Sequence, residues 1–136
     1  MLAIGAAIVF GCTSIRTRTL EKGDVTMTKE QFATQFERVF RYHNSVMNNL
    51  INVSAELEES SPDGSAVSEA EAIMDEACEP LNEVVAAESV SEDVSFETMR
   101  LLPRAVPECE AATRRVEVLL LDVLKTQESS RKFVAR

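Results

Sequence analysis

Between Phe32 and Leu57 an apolar position recurs at alternating steps of four and three residues. Phe32, Phe36, Val39, His43, Val46, Leu50, Val53 and Leu57 form this stripe, and Phe40, Met47 and Ile51 widen it. An α-helix completes a turn every 3.6 residues, so this spacing gathers the side chains on one face. One helix cannot bury such a face alone, and partner helices must cover it. The stripe therefore predicts a long helix in a bundle. Its start is marked by a capping-box pattern, Thr28 with Gln31, flanked by Met27 and Phe32 at hydrophobic-staple positions. The run Glu58-Glu59-Ser60-Ser61-Pro62-Asp63-Gly64 supplies its breakers.

A second helix is expected to start at another capping box, Ser68 with Glu71. Ala70, Ile73, Met74, Ala77, Leu81, Val84 and Val85 lie on its apolar face, with Glu71, Asp75, Glu79 and Glu83 opposite. Pro80 has no N–H and should kink or break it. A short third helix is expected over 92–102. Pro103 and Pro107 then interrupt the chain, and Pro107 suits the first turn of a fourth helix reaching about residue 130. The apolar face of that last helix holds Cys109, Ala112, Val116, Leu119, Leu120, Val123 and Leu124, with Val118 and Leu121 off it. No segment alternates with the period of a strand. The fold class read from this pattern is all-α: a helical bundle of three long helices plus one short helix, held by one disulfide.

The N-terminal segment carries a different kind of signal. An apolar run from Leu2 ends in Val9-Phe10-Gly11-Cys12. It is too short to span a bilayer, which takes about 20 apolar residues. Its length and its small residue before the cysteine fit a secretory signal peptide. The tetrad resembles the lipobox of bacterial lipoproteins, whose cysteine is lipidated and becomes the new N-terminus. Gly11 and Cys12 match that pattern, and Phe10 departs from it. The resemblance implies a signal peptide over 1–11, lipidation at Cys12 and a flexible tether over 12–26. A bundle domain over 27–136 follows. Thr13 after the cysteine resembles the sorting pattern of outer-membrane lipoproteins. The expected location is the bacterial cell envelope, at the outer membrane and facing the periplasm.

Without Cys12, two cysteines remain, Cys78 and Cys109. An even remainder in an oxidising compartment points to a disulfide. Closing a loop of this size is worth roughly 3–4 kcal/mol in the chain-entropy treatment. The cysteines are too far apart in sequence, with no Cys-x-x-Cys, to read as a zinc motif. No metal and no cofactor are expected.

Charge narrows the partners. The net charge is −9, and no Lys or Arg stands between Arg41 and Arg100. Nucleic-acid binding requires a basic surface, so that class is excluded. Most of these acids should form a solvated face. On the first helix, Asn44, Asn48, Asn49 and Asn52 give an uncharged polar surface that is cheaper to desolvate than charges, a candidate face for a partner.

His43, the only histidine, stands on the apolar stripe. It is expected to be a core residue with one ring nitrogen hydrogen-bonded. General-base, metal or haem roles are the alternatives. No catalytic set is legible, and the chain is read as a non-enzyme. The function expected is binding: a lipid-anchored module docking an envelope protein, with self-association through the first or last helix as a further contact. Small size, anchor, helix content and cysteine count are similar to those of pilotin-type lipoproteins. An inhibitor or immunity-type lipoprotein, using its acidic surface against a basic partner, is the second reading. A small haem or metal protein using His43 is the third.

Overall fold

The computed structural model describes residues 13–54, 57 and 61–134. The predicted signal peptide and Cys12 lie outside the described residues. The chain runs through strands β1 (Ile15–Thr19) and β2 (Gly23–Met27) into three helices, α1 (Lys29–Ser54), α2 (Pro62–Ser89) and α3 (Phe96–Val134).

The expected helical bundle is present, and α1 follows its predicted stripe. Phe32, Val39, His43, Val46 and Leu50 are buried along it. The capping box forms in both directions. The Thr28 N–H donates to Gln31 Oε1 at 2.9 Å, and the Gln31 N–H donates to Thr28 Oγ1 at 3.2 Å.

Helix α2 starts earlier than expected at Ser68. Ser61 is its N-cap and accepts from the Gly64 N–H at 3.0 Å, with Pro62 in the first turn. A proline there sacrifices an N–H that has no helical partner anyway, so these residues start the helix. The helix ends in a Schellman motif. The Glu92 N–H bonds to the Ala87 carbonyl and the Ser91 N–H to that of Glu88. Ser91 takes the left-handed conformation, φ 57°, that glycine adopts more readily.

Two expected interruptions do not occur. Pro80 stays inside α2, and Pro103 and Pro107 stay inside α3, so the short helix and the last helix are one. An internal proline costs about 3 kcal/mol. Against this stands a continuous buried stripe, Leu102, Val106, Cys109, Val116, Leu120 and Val123, that crosses both prolines. Each fully buried Val or Leu contributes about 1.5–3 kcal/mol, so burial wins. Three side chains expected on apolar faces are nonetheless exposed, Ile51 at 63%, Ile73 at 42% and Leu124 at 43%.

The larger correction concerns 12–26, expected to be a tether. Its described residues include a hairpin. β1 and β2 pair antiparallel, Ile15 opposite Met27 and Thr19 opposite Gly23, and Gly23 supplies the positive φ of 70° at the turn. Thr17 is buried, and Ile15 and Met27 pack against the core. The Arg/Thr alternation of 16–19 carries no hydrophobic periodicity, but threonine still supports a strand. It is β-branched and suits a half-buried pleated surface.

The hairpin also completes α3. A helical carbonyl accepts from the N–H four residues on, but Pro107 has none to give Pro103. The Thr17 hydroxyl donates to the Pro103 carbonyl at 2.6 Å. The same loss falls on Glu76, four residues before Pro80, and on Met99, four before Pro103. Both are exposed residues, within reach of solvent.

Candidate functional site

The three helices bring one chemistry-bearing side chain each to the centre of the bundle. Cys78 of α2 and Cys109 of α3 form a disulfide with Cα atoms 4.7 Å apart. Both are fully buried, and His43 of α1 beside them is 4% exposed. One ring nitrogen of His43 and the two sulfurs all lie within 4.8 Å of one another. Sequence spacing could not show this, because the three residues are 35 and 31 positions apart and meet only when the helices pack.

His43 faces the interior, but the hydrogen-bond partner expected for it is missing at Nδ1. That atom is buried and has no partner among the described residues. Burial holds the imidazole below its ordinary pKa of 6.5, opposed by the charge of Asp75. The Thr113 hydroxyl, fully buried, stands 3.8 Å from the Cys78 sulfur. Among the described residues, His43, Cys78 and Cys109 are the one group of three whose ligand atoms are close enough to share a metal ion, were the disulfide reduced.

A second polar cluster joins α1 to α3. Glu110 is buried and meets Arg38 at 2.7 Å and Gln35 at 3.4 Å. Glu110 is not legible in the sequence as a buried group, because its partners lie on another helix. The Tyr42 hydroxyl donates to Glu117. Burial, and then that carboxylate, push the phenol up to about 12.

The four asparagines all lie on α1. All are exposed, but only Asn49 and Asn52 border a groove of about 250 Å³ between α1 and α3. Val46, Val53, Glu117, Leu120, Leu121 and Leu124 line it with them. Leu121 and Val118 of α3 are about half exposed, and Ile51 of α1 is 63% exposed. Asn44 and Asn48 lie on α1 outside the groove.

Comparisons with protein-family models, curated proteins and solved structures find no match. No helix among the described residues is long and apolar enough to cross a membrane.

Proposed function

We propose that this chain is a lipid-anchored module of the bacterial envelope that faces the periplasm and binds another envelope protein without catalysis. The observation that carries the binding reading is the groove between α1 and α3. It combines aliphatic side chains, two uncharged amides, a carboxylate already bonded to Tyr42 and neighbouring exposed aliphatic side chains. Such a surface gains from burying apolar area, and its amides are cheaper to desolvate than charges. The anchor rests on Val9-Phe10-Gly11-Cys12.

Photo-crosslinking amino acids placed at Asn49 and Leu121 in the producing cell test the binding reading. One defined envelope protein should crosslink from both positions and not from exposed Glu69 of α2. Equal or absent crosslinking from all three sites would refute it. A second copy of this chain as the adduct would identify the groove as a self-association surface instead. Mass spectrometry of membrane-extracted protein should show a chain that starts at Cys12 and carries acyl mass. A wholly soluble protein retaining Met1 would remove the anchor.

The inhibitor reading retains one specific observation. α2 carries acids along its exposed surface and no Lys or Arg. Partner capture that weakens steeply with salt would favour it, whereas groove binding should persist at high salt.

A further inference from the structure

We propose that His43, Cys78 and Cys109 form a buried Zn²⁺ site when the disulfide is reduced, with the fourth coordination position left to an exogenous ligand such as water. The disulfide and the metal site are then alternative states of one centre.

Geometry is the first ground. The three ligand atoms come from three different helices and lie within 4.8 Å of one another. Tetrahedral zinc, with bonds of about 2.3 Å to sulfur and 2.0 Å to nitrogen, holds its ligand atoms roughly 3.5–3.8 Å apart. Once the sulfurs are no longer bonded, they are free to separate toward that spacing. The second ground is the unpartnered Nδ1 of His43, a polar atom buried in the bundle interior. Buried polar atoms are nearly always satisfied, and an exception calls for a reason.

The third ground is charge. Two thiolates, a neutral imidazole and Zn²⁺ sum to zero, so the occupied centre adds no net charge to the core. Thr113, already beside Cys78, can donate to the thiolate, the kind of outer-shell hydrogen bond that steadies metal ligands.

The steps balance with a dithiol as reductant. It delivers two electrons and two protons to the Cys78–Cys109 bond and becomes a disulfide itself, leaving two thiols. Zn²⁺ binding then releases both thiol protons to solvent. The oxidised centre ties α2 to α3, and the metallated one ties α1, α2 and α3 together.

The test uses the full chain carrying Cys12→Ser, so that only these two cysteines remain. It is refolded in a phosphine reductant, which ends as its oxide with oxygen from water. Co²⁺ and Zn²⁺ are the probes, with Zn²⁺ affinity measured against a chelator and helicity followed by circular dichroism. One Zn²⁺ per chain and a thiolate-to-cobalt charge-transfer band are expected. His43→Leu and His43→Asn should each weaken Zn²⁺ binding at least about tenfold, since even outer-shell losses cost that much. If the reduced chain or a variant is unfolded without metal, zinc should restore helicity in the parent and not in the His43 variants.

Absence of the cobalt band would overturn the proposal. So would zinc affinity unchanged in both His43 variants, a reduced parent that stays unfolded with zinc, or an oxidised parent that binds zinc equally well. Each outcome is separate from the crosslinking test of the groove.

Discussion

Thr17→Val should destabilise the protein through a helix that Thr17 does not belong to. Valine keeps the β-branched shape and strand preference of threonine, so β1 is not disturbed in itself. What disappears is the hydroxyl that donates to the Pro103 carbonyl at 2.6 Å. Leaving a buried acceptor unmade costs about 1–3 kcal/mol. Thr17 is 7% exposed, but Pro103 is only partly buried, so the lower part of that range applies, about 1–2 kcal/mol. The attribution is tested by Pro107→Ala. Alanine restores the N–H that the Pro103 carbonyl would receive in an uninterrupted helix. In that background Thr17→Val should cost no more than about 0.5 kcal/mol, the low end for a net hydrogen bond. Urea unfolding of the four proteins, followed by far-ultraviolet circular dichroism, gives the coupling. About 1 kcal/mol is expected, and agreement with additivity to within about 0.3–0.5 kcal/mol would refute the reasoning.

Ser91→Gly should raise stability by about 0.5–1 kcal/mol, because Ser91 holds a positive φ at the Schellman position; a lower urea midpoint would contradict this. Tyr42 is the only tyrosine, so its ionisation can be followed by ultraviolet absorbance. It should titrate near 12, and Glu117→Gln should bring it down, because the carboxylate is one of the groups raising it. His43 should make the protein acid-sensitive. Its folded pKa lies below the ordinary 6.5, so its contribution is complete above 6.5 and is lost as pH falls from there through the depressed value. His43→Leu should flatten that part of the stability–pH curve. At neutral pH it should also add about 1 kcal/mol by removing a buried unpartnered nitrogen. A curve unchanged between parent and variant would show that His43 does not titrate with unfolding.

Local pattern alone determined α1. Its stripe and its Thr28–Gln31 cap lie within one turn or one face, so spacing is enough to read them. The acidic, cation-free character of α2 is equally local. The joining of Cys78 to Cys109 followed from counting, but their placement beside His43 did not. That meeting depends on how three helices rotate against one another, which no single segment specifies. Tertiary structure also decided the fate of the prolines. Taken alone, Pro103 and Pro107 end helices. In the folded chain the stripe from Leu102 to Val123 is worth more buried than the prolines cost, and Thr17 serves the Pro103 carbonyl from 86 residues away in sequence. The hairpin is the same case in reverse. Ile15 and the four alternating arginines and threonines after it have too little apolar content to announce a strand, and they become one because α3 offers a surface to cover and an acceptor to satisfy.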